Sequence, residues 1–196
     1  THGGNLKMSN KKFIESIPVG PLAIVALPGS KALGDKVDAY ISGWRSERLE
    51  AKESPITFKG YVKDSYLLNV SVPRFGTGEA KCALKDTVRG CDLYIIDDVT
   101  NHSIEYTVCG QKNHMSPDDH YADIKRVIAA ASGKARKITV IMPFLYESRQ
   151  HRRSSRESMD CAVMLQELVN MGVDNIITFD AHDPRVNNAI PISGFE

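Results

Sequence analysis

The chain has no surplus of either charge: 25 Lys+Arg stand against 24 Asp+Glu, a formal net charge of +1. General binders of nucleic acid or of membrane surfaces work through a strong basic excess, so neither is expected as a partner. A long apolar run is also missing. The longest, Leu22 to Leu27, has the length of a strand and falls far short of the roughly 20 residues of a membrane span. Residues 1–12 carry Gly, Asn and Lys without an apolar stretch, so they do not read as a secretory signal. A start on Thr1 implies a chain cut or processed at that point. Cysteine is sparse: Cys82, Cys91, Cys109 and Cys161 form no CxxC pair and no zinc-knuckle spacing. Buried, reduced thiols in a cytoplasmic protein are the expectation. There is no internal repeat and no low-complexity tract. Hydrophobic residues at 42% and charged ones at 25% argue against disorder, and the length suits one domain. We take residues 21–196 as that domain and 1–20 as an N-terminal extension.

Four apolar runs are present. Pro21–Leu27, Asp92–Ile96, Lys137–Phe144 and Asn175–Asp180 are continuous rather than alternating, which suits strands covered on both faces of a parallel sheet. Helical spacing lies between them. Ala32–Arg45 places Leu33, Val37, Tyr40, Ile41 and Trp44 on one face. Asp118 and Asp119 precede Tyr121, Ile124, Val127, Ile128 and Ala131, with the acids at the positive helix start. Ser158–Met171 carries Cys161, Met164, Leu165 and Leu168 before Gly172 stops it. Alternation of this kind predicts an α/β fold with a mostly parallel sheet flanked by helices. Thr57–Tyr61 and Tyr66–Val72, about Lys63-Asp64, read as an added antiparallel hairpin. Ser103–Pro117 reads as a loop or a short ribbon.

Ligands of open α/β sheets collect beyond the carboxyl ends of the strands. Three segments fall there. Gly29–Lys36 resembles a phosphate loop, but Asp35 stands where that loop needs Lys, so a plain strand-to-helix turn is the better reading. Tyr146–Arg156 concentrates Arg149, Arg152, Arg153 and Arg156, whose forks match phosphate oxygens, with serines ahead of a helix as further donors. It reads as a polyphosphate site or as a solvated charged loop. Asp180–Arg185 offers His182 between carboxylates, suited to a metal or a phosphate, while Asp180 suits a turn cap. Phe75–Glu79 is, on physics alone, a glycine-bearing turn. His102, His114 and His120 have no partner at ligand spacing and are expected on the surface.

Taken in order, these segments resemble the ribose-phosphate diphosphokinases, also called phosphoribosyl-diphosphate synthetases. Phe75-x-x-Gly78-Glu79 is similar to the family's Phe-x-Asp/Asn-Gly-Glu turn, and Val88-Arg89-Gly90-x-Asp92 to its Val-Arg-Gly-x-Asp lead into a strand. Ser148-Arg149-Gln150 stands where the family has Tyr-Ala/Ser-Arg-Gln-Asp, and Asp180-x-His182 matches its Asp-Leu-His. The resemblance implies a phosphoribosyltransferase-like, Rossmann-like half-domain. It implies transfer of the diphosphoryl group of Mg-ATP to ribose 5-phosphate, with Mg²⁺ as cofactor. By position, Arg149 and Gln150 contact ATP, and His182 lies at the metal and phosphates. Phe75 and Glu79 contact the adenine of a neighbouring subunit, which makes a homo-oligomer part of the site. The sequence departs from the pattern at His151, in place of Asp, and at Thr77, in place of Asp/Asn. Asp183–Asn188 replaces a Gln-rich segment. The family's second half, with its catalytic and ribose-phosphate loops, has no counterpart here. The chain is therefore expected to be the ATP-side half, without catalytic residues of its own and inactive alone. The alternative is a non-catalytic regulatory homologue that binds nucleotide and pairs with active subunits.

Overall fold

A computed structural model describes residues 18–51 and 58–190. Its centre is a four-stranded sheet in the order β1-β4-β7-β8, formed by Leu22–Ala26, Asp92–Ile96, Lys137–Ile141 and Asn175–Ile177. All three pairings are parallel, with Leu22 opposite Asp92, Asp92 opposite Lys137 and Thr139 opposite Asn175. Every crossover carries a helix or an excursion, as parallel neighbours require. The α1 helix (Lys31–Glu50) follows β1, α2 (Pro117–Ala131) precedes β7, and α3 (Asp160–Asn170) precedes β8.

The unalternating strand sequences are explained by burial on both faces. Ala23, Val25, Leu27, Leu93, Ile95, Ile138, Val140 and Met142 turn one way, into a core closed by Ile124, Val127 and Ile128 of α2 and Met164, Leu165 and Leu168 of α3. Ile24 and Ile96 turn the other way, with Leu22, Tyr94 and Ile141, to meet Leu33, Val37 and Ile41 of α1. The expected α1 stripe is only partly realised. Tyr40 is 69% exposed and Trp44 40%, because the inward face of this helix is narrow. Gly34 is buried there, and a Cβ built on it would lie 2.3 Å from the Cβ of Ala26. Absence of a side chain lets helix and strand touch.

The α2 terminus is built as its sequence suggests. Ser116 Oγ accepts from Asp119 N at 3.1 Å while Asp119 Oδ2 accepts from Ser116 N at 2.9 Å, and Pro117 occupies the first turn. By contrast, the hairpin expected at 57–61 and 66–72 is not formed. Residue 57 lies outside the described residues, and 58–65 is turn and bend. Tyr66 is buried, its N–H donates to Asp38 at 2.6 Å and its hydroxyl donates to the Tyr61 carbonyl at 2.6 Å. The segment therefore runs parallel along β1, bridging Ile24 at Leu67. The next residues, β2 (Val70–Ser71), pair antiparallel with β3 (Ala83–Leu84) instead. Side-chain anchoring to α1 replaced the local pairing that β propensity favoured. The 103–117 segment is a ribbon: β5 (Glu105–Val108) and β6 (Gln111–His114) are antiparallel around Cys109-Gly110. Both turn residues have positive φ, 49° and 80°, which a two-residue hairpin turn of the primed type requires.

Of the four cysteines, all free, only Cys161 is buried; Cys109 is exposed and the other two are half-buried, so the expectation of buried thiols holds for one. Among the described residues no helix is long and apolar enough to cross a membrane.

Two glycines of α1 test the close approach. Gly34→Ala should destabilise the domain by about 1–3 kcal/mol through overpacking against Ala26. Gly43→Ala, at a position with nothing within 4 Å of the added carbon, should stabilise it by up to about 1 kcal/mol. Urea unfolding of both variants checks the pair, and equal shifts would remove the steric argument.

Candidate functional site

The carboxyl ends of β1, β4, β7 and β8 form one edge, and its loops are tied together from beneath. Residues Asp97–Asn101 continue β4. His120, on the first turn of α2, is completely buried below them. Its Nδ1 lies 2.9 Å from Asp97 Oδ2 and its Nε2 2.9 Å from the Asn101 carbonyl. Asn101 Nδ2 in turn donates to the Gly29 carbonyl at 2.9 Å. Gly29 has no room for a side chain: a Cβ there would lie 2.5 Å from Asp97 Oδ1 and 2.8 Å from His120 Cε1. The turn Pro28–Ser30 is thus a packed strand-to-helix junction, as the missing Lys had indicated. His120 corrects the expectation of a surface residue. Helix α2 turns its first coil inward against β4, and an ionisable group buried there needs the acceptors it finds.

Burial works to lower the His120 pKa, and the Asp97 and Asn101 acceptors outweigh it, so the net direction is upward. Burial also pushes the Asp97 carboxyl upward. Asp97 Oδ1, Ser30 Oγ and Ser148 Oγ are buried at this edge and have no hydrogen-bond partner among the described residues.

Above this base lies a cavity of about 320 Å³, lined by Val99, Thr100, Pro117, Phe144, Tyr146, Glu147, Ser148 and Arg149. Its β7 wall is stiffened by aromatic stacking. Tyr146 lies on Tyr121 with ring centroids 4.5 Å apart and planes 10° from parallel. The Tyr146 hydroxyl donates to Asp118 at 2.6 Å and that of Tyr121 to Glu167 at 2.7 Å. Burial and those carboxylates raise both phenol pKa values far above their usual range, so both stay protonated donors. Glu147 has φ +55°, a left-handed backbone that turns the chain towards Arg149. Burial, then Asp160 and Asp118, push the Glu147 carboxyl upward.

The expected site residues are distributed as follows. Arg149 is exposed at the rim of this cavity, with no hydrogen bond or ion pair among the described residues. Gln150 turns away and donates to the Ser158 carbonyl at 2.7 Å, which closes the 151–158 loop. Arg152, Arg153 and Arg156 are exposed on that loop. The Ser158 hydroxyl donates to Asp160 at 2.7 Å, and Asp160 supplies negative charge at the α3 start. His182 is exposed on the β8 loop with φ +51°, and its N–H donates to Asp180 Oδ1 at 3.0 Å. His151 lies beside it, ring centroids 5.6 Å apart. Hydrogen bonds from Arg185 hold the Asp183 carboxyl well below the usual carboxylate range.

Phe75 and Glu79 do not line the cavity. They sit on a separate turn in which Phe75 N donates to the Glu79 carbonyl at 2.7 Å and Thr77 Oγ1 to Glu79 Oε2 at 2.9 Å. Phe75 is 49% exposed. The turn is fixed from both sides. Arg74 pairs with buried Asp123 of α2 at 2.8 Å and lies 4.9 Å over the Tyr106 ring, while Cys109 N donates to the Gly76 carbonyl at 2.9 Å. The β5–β6 ribbon is thus a buttress for the Phe75 turn. Sequence reasoning missed that role, and it missed Asp97, Asn101 and His120; the acids directly after the β4 run were the only signal.

Among the described residues no group of three or more His, Cys, Asp or Glu is arranged to hold a metal ion. His182 offers a single ring nitrogen, and neighbouring Asp183 is engaged by Arg185 at both oxygens. These residues do not build a protein cage for Mg²⁺, which prefers oxygen ligands.

A parallel four-stranded layer flanked by helices, with its loops gathered at the carboxyl edge, defines the class of open-sheet α/β domains. The particular family is given by residues 22–172, which match the model of the N-terminal domain of ribose phosphate pyrophosphokinase, and the chain belongs to that family. The ribose-phosphate pyrophosphokinase of Oceanobacillus iheyensis is 27% identical over 124 residues, covering 62% of this chain and 35% of the relative. That of Bacillus subtilis is 28% identical over 127 residues, and that of Haemophilus ducreyi 31% over 120. The chain spans about a third of the length of these curated relatives. The fold is similar to the crystal structure of phosphoribosylpyrophosphate synthetase from Mycobacterium smegmatis. The TM-score is 0.62 at 18% identity, over 89% of this chain and 47% of that one.

The His120 pair makes a pH prediction. A histidine raised above its unfolded value of about 6.5 contributes stability that is complete below that pH and is lost as pH rises through the raised value. The melting temperature should therefore decline on the alkaline side more steeply for the native chain than for His120→Asn. Parallel pH profiles for the two would contradict the pairing.

Proposed function

We propose that this chain is the ATP-side domain of a ribose-phosphate diphosphokinase, which transfers the diphosphoryl group of Mg-ATP to ribose 5-phosphate. The observation that carries this reading is Arg149, an exposed guanidinium at the rim of the cavity on the sheet's carboxyl edge, without a partner among the described residues. A free fork there is available to phosphate oxygens without first breaking an ion pair. Phosphoryl transfer depends on positioning and charge neutralisation, and Arg149 supplies both to the phosphate chain. His182 contacts the same phosphates from the β8 loop. Mg²⁺ arrives as part of the substrate complex, carried by ATP oxygens. Gln150 shapes the loop that carries Arg149 through its bond to Ser158, and it contacts ATP from that loop.

Phe75 and Glu79 serve the adenine of a neighbouring subunit. Their turn projects from the domain with an exposed ring, in keeping with a homo-oligomer in which the site is shared. Ribose 5-phosphate binds mostly outside this domain, so the chain alone is inactive. Free thiols and ordinary charge fit a cytoplasmic enzyme that takes neither nucleic acid nor membrane as partner. A second reading, a regulatory homologue that keeps the fold and pairs with active subunits, is favoured by one observation. Thr77, in place of Asp/Asn, donates to Glu79 Oε2 at 2.9 Å and so engages one of its carboxylate oxygens within the turn.

Titration calorimetry with Mg-ATP tests the first reading. Arg149→Ala should weaken binding by about 1.5–3 kcal/mol, the loss of a charged hydrogen bond, and ribose 5-phosphate alone should give no heat. An unchanged dissociation constant would take Arg149 out of the site.

A further inference from the structure

We propose that His151 and Asp183 form a strut that holds the Arg149 loop and the His182 loop at a fixed separation, making both positioning residues for the phosphate chain. The proposal rests on the nucleotide reading above and adds the device that sets its geometry.

The two loops leave different strands, β7 and β8. At their base the backbones are joined: Phe144 and Asp180 form a parallel bridge, and Leu145 N donates to the Asp180 carbonyl at 3.0 Å. Beyond that base the side chain of His151 spans the gap. Its Nε2 lies 3.2 Å from Asp183 Oδ2 across the gap, and its Nδ1 lies 3.2 Å from the Ser148 carbonyl on its own loop. The ring therefore touches both sides at once. Asp183 is fixed from its far side, where its Oδ1 accepts from Arg185 N at 2.9 Å and Nε at 3.0 Å.

Exposure separates the struts from the groups they support. His151 and Asp183 side chains are 15% and 14% exposed. Arg149, one residue beyond Ser148, and His182, one before Asp183, are both exposed. Each exposed group is thus adjacent in sequence to an atom that the strut fixes. A phosphate chain bridging Arg149 and His182 needs their spacing set beforehand, because ordering two free loops on binding costs affinity.

A double-mutant cycle on His151→Gln and Asp183→Asn tests this by Mg-ATP titration, with Arg149→Ala in parallel. Each single variant should weaken binding about tenfold, as for one charged hydrogen bond, and the double variant no more than the worse single. The exchanged pair, His151→Asp with Asp183→His, should recover most of the loss. Additive losses, or singles that bind as the native chain does, overturn the strut. Without ligand, Asp183→Asn should also shift the backbone amide resonances of Arg149 and Gln150 across the gap, and resonances that stay in place overturn it independently. If the native chain takes up no Mg-ATP, or Arg149→Ala leaves its affinity unchanged, the nucleotide reading fails, and the amide shifts alone decide whether the strut exists.

Discussion

The carboxyl edge of the sheet depends on one buried contact, the His120 ring held between Asp97 Oδ2 and the Asn101 carbonyl. Strands of a parallel sheet end in loops that share no backbone ladder, so something else must hold those loops in register. Here a single imidazole joins the first turn of α2 to the β4 loop, and Asn101 passes the constraint on to Gly29 after β1. The Gly29 position is narrow because Asp97 and His120 lie directly behind it. A polar pair buried this completely is costly unless it is hydrogen-bonded, and both ring nitrogens and Asp97 Oδ2 are engaged. The edge is consequently a preformed platform on which Thr100, Pro117 and Arg149 surround one cavity.

Two further layers stand on that platform. Stacked Tyr121 and Tyr146 tie α2 and α3 to the β7 loop, with both hydroxyls committed to carboxylates. On the other side of α2, Asp123 binds Arg74 and Arg126, which fixes the Phe75 turn, and the β5–β6 ribbon supports that turn from above. Helix α2 is therefore the hub. It carries the platform at its first turn, a stack on one flank and an ion-pair network on the other. The candidate side chains at the rim, Arg149 and His182, remain exposed because the supporting contacts are made by their neighbours.

Much of this was legible in the residues. The four strand runs lie where continuous apolar sequence placed them, since two-sided burial leaves no alternation to confuse with a half-buried strand. Helix α2 was readable from Asp118, Asp119 and its apolar spacing, and α3 from its stripe and the stop at Gly172. Failures came where a tertiary contact outweighed a local preference. Tyr66 left its expected hairpin because Asp38 and Tyr61 satisfy it against α1. His120 gave no sequence signal, because its partners lie 23 and 19 residues away in the chain. The bond by which the Gln150 amide closes its own loop is likewise not recorded in the motif.

By itself, the sequence determined the layer order of this domain, the parallel direction of its sheet and the edge where the candidate site residues Arg149 and His182 gather. Those follow from periodicity, chain order and the handedness of crossovers, which are local or topological properties. Only the tertiary structure decided which polar groups meet at that edge. Whether a histidine becomes a surface residue or a buried tie, and whether an arginine is paired or free, depends on burial and on acceptors supplied from distant segments. Desolvation acts on the folded assembly, and no local pattern in the chain records it.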